Sequence, residues 1–287
     1  MVSEALMVPR VRRVRPSDRA PLMSFIKGVW GGHDYIPYVW DEWAKDEVNP
    51  MFVVEVDGTP VGMNRLRFLE DGSAWFEGVR VHPAHRGRGL ATMLGENSIR
   101  VAKRRGATEF KLTSGSRNKM AHRQIARLGF VEAARFSIYE PSRGPLGRGG
   151  AEQVRRGGLD DALRLIRSTK EFETGKGVFW HNWGAARITP EVMRKLVEEG
   201  AVWRRGGAVA VARLGGEGRE AWEQIGFLGG EPHDAVHLAR SLFGRKKDAS
   251  ERWAFVPQGT PLIHALRSSG FARHFSNVLF EWKLAKG

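Results

Sequence analysis

Apolar and polar residues in the first half of the chain switch between a period of two and a period of about 3.6. Val8 to Arg15 alternates as a strand does. Pro16-Ser17-Asp18 then supplies a helix start ahead of Leu22, Phe25, Ile26 and Val29 at helical spacing. Met51 to Val56 and Thr59 to Phe68 are apolar runs joined at Asp57-Gly58, a hairpin turn, and Ser73 to Val81 follows Asp71-Gly72 as a third strand. The three predict an antiparallel meander. Ala91 to Arg105 carries Met93, Leu94 and Val101 on one face and stops at Gly106, a residue that ends a helix without a Cβ penalty. Glu109 to Thr113 then reads as a short strand, Asn118 to Leu128 as a helix ended by Gly129, and Val131 to Tyr139 as a closing strand.

From 141 to 150 Gly and Pro dominate and no period can be traced, so this stretch reads as a linker between domains over 1–140 and 151–287. The second half repeats the order of the first. It offers a strand from Glu152 to Arg156, helices over Leu159 to Ser168 and Pro190 to Glu199, and a hairpin around Arg205-Gly206-Gly207. Ala74-Trp75-Phe76-Glu77 is echoed by Ala221-Trp222-Glu223-Gln224, and Arg127-Leu128-Gly129-Phe130 by Ser268-Ser269-Gly270-Phe271, at similar offsets. That repetition argues for duplication. The expected class is α/β, with mixed sheets of the α+β kind.

The length of 287 residues suits two domains. The absence of Cys removes disulfides, thiolate metal sites and a cysteine nucleophile. A net charge of +14 makes an anionic partner plausible. Its only runs are Lys103-Arg104-Arg105 and Arg245-Lys246-Lys247, each near a predicted helix end where cations suit the dipole, so nucleic acid is not expected. Met1 to Arg15 lacks the apolar core of a secretory signal and no window is apolar enough to span a bilayer, so a cytoplasmic protein without membrane partners is expected. The histidines show no metal-ligand spacing, and no catalytic metal is expected.

The segment richest in chemistry is Val79-Arg80-Val81-His82-Pro83-Ala84-His85-Arg86-Gly87-Arg88-Gly89-Leu90-Ala91, where a strand stops and a Gly-rich turn opens a helix. Unpaired N–H groups and the positive end of the dipole converge at such a turn, and Gly87 and Gly89 allow a phosphate close to the backbone. Arg86-Gly87-Arg88-Gly89-Leu90-Ala91 resembles the acetyl-CoA loop [QR]-x-x-G-x-[GA] of the GNAT acetyltransferases, and the order of elements agrees with that family across residues 9 to 140.

The resemblance implies a splayed sheet in which strands four and five part around the pantetheine arm of acetyl-CoA. Val79, Arg80 and Val81 would line that arm, and Arg86, Gly87, Arg88, Gly89, Leu90 and Ala91 would hold the pyrophosphate. Asn118 would touch the pantetheine or position the thioester; alternatively it is simply the N-cap of its helix. A base is needed to deprotonate an amine, and Glu77 on strand four is the candidate, beside Gly78, which can form a bulge. The competing reading is a solvent-facing strand Glu paired with one of the many Arg residues. The family's usual Tyr is replaced by Ile125, which leaves the general acid open among His122, Ser116, Tyr139 or none.

Trp30 to Pro37 looks like a specificity loop in which His33, Asp34 and Tyr35 meet the substrate, or else an aromatic plug between domains. Its Gly-Gly-x-Asp-Tyr-x-Pro phrase, with the trailing second domain, is similar to the histidine N-acetyltransferase-like branch of the family. In the second half Gly229-Gly230-Glu231-Pro232-His233-Asp234 places acids where a pyrophosphate would sit, so that half is expected to be a degenerate GNAT-like domain. Phe179-Trp180-His181-Asn182-Trp183 reads there as a lid or as core packing. The function expected is direct acetyl transfer to a small amine, a histidine-like free amino acid first, by a monomer or homodimer. The alternatives are a polyamine, an aminoglycoside or a protein N-terminus as acceptor, or a non-catalytic acyl-CoA-binding or regulatory module.

Overall fold

The computed structural model describes residues 8–147, 150–216 and 221–283. They divide into two compact units. Unit 1 holds the described residues up to Leu112, then Lys119–Val131 and those from Glu281 on; unit 2 holds Thr113–Asn118 and Glu132–Phe280.

The first half runs β1 (Arg10–Arg13), α1 (Arg19–Ile26), α2 (Ile36–Lys45), β2 (Met51–Val56), β3 (Thr59–Phe68), β4 (Ala74–Val81), α3 (Leu90–Arg104), β5 (Glu109–Gly115), α4 (Lys119–Arg127) and β6 (Val131–Pro141). In unit 1 the strand order is β1-β2-β3-β4-β5, antiparallel except for the parallel β4–β5 pair. Leu22, Ile26, Ile36, Trp40 and Trp43 of α1 and α2 bury against Met51, Val53 and Met63 on one face. Each such side chain removed from water contributes about 1.5–3 kcal/mol. On the other face Asn64 donates to the Ser98 hydroxyl of α3 at 2.8 Å, and Phe76 packs edge-on to Phe130 at 5.6 Å.

Two irregularities in β4 position the site. Its pairing with β5 covers only Ala74↔Phe110 to Phe76↔Leu112, and β4 runs on through Val81. Opposite β3, Glu77 faces Arg65 and Arg80 faces Met63, so two residues of β4, Gly78 and Val79, stand against Asn64 alone. This is a bulge, and Gly78 takes its positive φ of 68°. An inserted residue reverses the alternation of every side chain after it. Glu77 and Arg80 consequently both lie on the α1/α2 face, where strict alternation would separate them.

The second half runs β7 (Glu152–Gln153), α5 (Leu159–Ser168), α6 (Lys170–Thr174), β8 (Val178–His181), β9 (Gly184–Arg187), α7 (Pro190–Glu198), β10 (Val202–Arg205), β11 (Ala208–Gly215), β12 (Trp222–Gly230), α8 (Pro232–Leu242), β13 (Glu251–Pro257), α9 (Pro261–Ser268) and β14 (Phe271–Lys283). Apart from the additional α6 and the ribbon β8–β9, its helices and strands repeat the first half's order, with Gly270-Phe271 at the entry to β14 as Gly129-Phe130 is at the entry to β6. In unit 2 the strand order is β14-β6-β13-β12-β11-β10-β7, and β8 and β9 form a separate ribbon.

The closing strand expected at the end of the first domain lies elsewhere. β6 pairs with β13 within unit 2, from Phe136↔Pro257 to Tyr139↔Ala254. The end of β14 belongs to unit 1, where Trp282 packs edge-on to Phe110 at 4.7 Å. The two units therefore do not divide at residues 141–150. The ribbon β8–β9 turns at Asn182 and Trp183, both with positive φ, and Trp180 is buried and stacked on Phe255 at 4.9 Å. That ring belongs to the core of unit 2. The two basic runs are likewise drawn into packing: Lys103 lies over the Trp282 ring, Arg105 donates to the Val48 carbonyl, and Arg245 lies over Trp203.

Candidate active site

After β4 the chain makes a single 3₁₀ turn, Pro83–His85, and enters the exposed stretch Arg86–Gly89 before α3 begins. Gly87 and Gly89 take φ of 78° and 75°, which disfavours any side chain with a Cβ. A Cβ built on either would find nothing within 4 Å, so the space above this backbone is open. Gly89 caps α3 in the left-handed conformation, and the first helical bond runs from Met93 N–H to its carbonyl. The N–H groups of Leu90 and Ala91 thus have no acceptor within the helix and sit at the positive end of its dipole. With Arg86 and Arg88 beside them, these groups fit the pyrophosphate of a coenzyme A ester. Just upstream, the Val79 and Val81 carbonyls accept from the Arg80 and Arg86 side chains, at 3.0 and 3.3 Å.

Glu77 lies before the bulge with its side chain 11% exposed. Arg65 Nη1 reaches Glu77 Oε1 at 2.9 Å, Arg67 Nη2 reaches Oε2 at 3.3 Å, and the Trp75 side chain also bonds to the carboxyl. Burial pushes this carboxyl above the usual glutamate range, with the guanidiniums of Arg67 and Arg65 pulling the other way. Glu77 is thus paired with arginine, as the competing reading expects, but it is buried rather than solvent-facing.

The three expected substrate residues separate. His33 is exposed. Asp34 has a fully buried carboxylate: it takes Arg80 Nε at 2.6 Å and Nη2 at 3.0 Å and accepts the Ile36 N–H at 3.0 Å. It fixes the start of α2 to β4, and Arg80, expected to line the cofactor, is its partner. Tyr35 leaves part of its ring open to solvent, packs edge-on to Trp43 at 5.8 Å and lies under the Arg80 guanidinium at 5.4 Å. Its phenol is desolvated, which with the nearby Glu77 and Asp34 charges and against Arg80 pushes it up to about 12. Tyr35, Arg80 and Glu77 thus form one cluster. A Cβ at Gly78 would meet Trp43 at 3.0 Å and Ile36 at 3.4 Å, so α2 closes directly over the bulge.

Trp43 also belongs to this cluster, as do Arg65, Arg67 and Asp46, which were not among the expected site residues. Arg65 bridges Glu77 and Asp46 and lies 4.4 Å over the Trp43 ring. The signal was present as Arg65-x-Arg67, two cations on one face of a strand expected to be apolar. Asn118 is exposed in the turn before α4, with its N–H donating to the Gly115 carbonyl at 2.9 Å. Ile125 is buried.

In unit 2 the corresponding turn before α8 carries Glu231 at the cap, and the Asp234 carboxylate accepts the Gly207 N–H at 2.8 Å. Among the described residues no group of three or more His, Asp or Glu is placed to hold a metal ion, and no helix is long and apolar enough to cross a membrane.

A family model described as Acetyltransferase (GNAT) family matches residues 19–130. A histidine N-acetyltransferase of Xenopus tropicalis is 33% identical over 85 residues, 29% of this chain and 26% of that protein. An uncharacterised N-acetyltransferase of Methanocaldococcus jannaschii is 32% identical over 136 residues, 42% of this chain and 60% of its own. The chain thus spans less than two thirds of the length of the curated relatives it matches. The crystal structure of a GCN5-related N-acetyltransferase from Sphaerobacter thermophilus superposes with a TM-score of 0.62 at 14% identity, covering 97% of this chain and 96% of that one, a likeness of fold. The Gly-rich turn that opens α3, the parting of β4 from β5 and the family match agree, and residues 19–130 form a domain of the GNAT acetyltransferase superfamily.

Proposed function

We propose that this chain is an acetyl-CoA-dependent N-acetyltransferase acting on a small amine, with a histidine-like free amino acid as the first acceptor class. The observation that carries the reading is the open turn Arg86–Ala91, next to the stretch of β4 that runs past its pairing with β5. Bound acetyl-CoA would supply the acetyl group as a thioester. The N–H groups of the turn, with Arg86 and Arg88, hold its pyrophosphate, and Asn118 is carried over from the family as a contact for the pantetheine arm. Glu77 takes the proton that the acceptor nitrogen releases as its bond to the acetyl carbon forms and the C–S bond breaks. The backbone that Gly78 takes out of the ladder offers an N–H to the carbonyl oxygen where negative charge develops. With no Cys in the chain, transfer is direct.

Unit 2, with acids at its own turn, does not hold a second acetyl-CoA in this reading. The choice of a free amino acid draws on the frog relative, whose name states histidine. The test is thiol release from acetyl-CoA across histidine, other amino acids, polyamines, aminoglycosides and short peptides, and the absence of Cys removes background. Release stimulated most by histidine or another amino acid is expected. Saturable CoA binding with no stimulated release by any acceptor would instead favour a non-catalytic acyl-CoA module, the reading that a buried Ile125 in place of the family's acid raises.

A further inference from the structure

Helix α2 is held at both ends by arginines of the central strands. At its start Arg80 of β4 holds Asp34; just beyond its end Arg65 of β3 holds Asp46. The second pair differs because Arg65 is shared. One terminal nitrogen, Nη2, reaches Asp46 Oδ2 at 2.8 Å and the other, Nη1, reaches Glu77 Oε1 at 2.9 Å, in a guanidinium 7% exposed. Asp46 is itself fixed, since it accepts from the Asn49 backbone N–H at 2.9 Å and side-chain amide at 3.0 Å. Those bonds and Arg65 outweigh its desolvation and hold it below the usual aspartate range, so it stays ionised.

Glu77 meets Arg65 and Arg67 on β3 and the Trp75 side chain on its own strand, and its charge acts on Tyr35 ahead of α2, whose ring lies under Arg80. On the β5 side Lys111 is engaged by Asp71 at 2.5 Å. Two guanidiniums on one desolvated carboxylate would make it a poor proton acceptor. One of them is instead divided between two carboxylates.

Resting on the reading that Glu77 is the base, we infer that Asp46 is a positioning residue for the reaction: by drawing on Arg65 it keeps that cation from fully neutralising Glu77, and so keeps Glu77 able to take a proton. Asp46 lies at the end of α2 and Tyr35 at its start, so the seating of the helix and the basicity of Glu77 are linked. An α2 that lifts from β3 hands Arg65 wholly to Glu77 and weakens the base. An α2 that seats restores it.

Asp46→Asn removes the charge and keeps an acceptor for the Asn49 N–H. Two changes then act on Glu77 in the same direction: Arg65 turns fully to it, and a nearby negative charge disappears. The measurement is a carboxyl ¹³C NMR titration of glutamate-labelled protein, with the Glu77 resonance assigned by its loss in Glu77→Gln. The Glu77 midpoint is expected to fall by about 1 pH unit in Asp46→Asn, and the acid limb of kcat/KM to move down with it. An unchanged Glu77 midpoint in a folded variant overturns the inference. A midpoint that falls while the acid limb stays fixed overturns Glu77 as the base, leaving the coupling through Arg65 intact. If Asp46→Asn does not fold, Asp46→Ser carries the same expectation.

Discussion

Replacing Glu77 with Gln lowers kcat about 10²- to 10⁴-fold at neutral pH, the usual worth of a positioned general base. The side chain keeps its size and can still accept from Arg65, so CoA affinity stays at the parent level. The pH dependence gives the sharper sign. Burial raises the Glu77 carboxyl above the ordinary range, so the proton is held to a higher pH than on a free glutamate. The active, ionised form is therefore gained as pH rises through a window displaced upward from 4.5, and the parent rate has its acid limb there. In Glu77→Gln that limb disappears. Initial rates of thiol release from pH 5 to 9 measure both effects. A variant with the parent's rate and acid limb would remove Glu77 from the chemistry and leave it as the partner of two arginines.

Asp34→Ala destabilises the protein by about 3–5 kcal/mol, the cost of leaving one member of a buried ion pair uncompensated. The Asp34 side chain is 0% exposed and that of Arg80 is 10% exposed, so solvent cannot take over the lost interaction. Nor does Ala accept the Ile36 N–H, and the start of α2 loses its anchor. Urea unfolding measures the loss. A change under about 1 kcal/mol, the range of exposed pairs, would contradict the clamp. Tyr35 and Trp43 depend on the same anchor, so KM for the acceptor rises with the instability.

Much of this arrangement can be read from local patterns. β2 and β3 span Met51–Val56 and Thr59–Phe68, as the apolar runs on either side of Asp57-Gly58 indicate. α5 likewise covers Leu159–Ser168 as its period predicts, and Gly106 and Gly129 follow the ends of α3 and α4. These features are legible because period and turn chemistry act over a few residues. The turn at 86–91 is legible for the same reason.

What escaped the sequence depends on distance along the chain. Arg80 and Asp34 are 46 residues apart, and no local pattern pairs them. The sharing of Arg65 by Asp46 and Glu77 is of the same kind. The pairing of β6 with β13 is a choice of partner that neither strand's alternation encodes. The ribbon β8–β9 hid for a different reason. Its turn places Asn182 and Trp183 at positive φ, where glycine usually marks a hairpin, and a Trp there gives no turn signal.

Calorimetric titration of CoA tests the turn at 86–91 as the acyl-CoA site most directly. The comparison is the parent against the double variant Arg86→Glu/Arg88→Glu. Both side chains are exposed, so folding is preserved while the reversed charges oppose a pyrophosphate. Saturable binding by the parent, lost in a variant with the parent's unfolding midpoint, is the predicted result. Equal affinity in the two proteins, or a parent that does not bind CoA, would contradict the account.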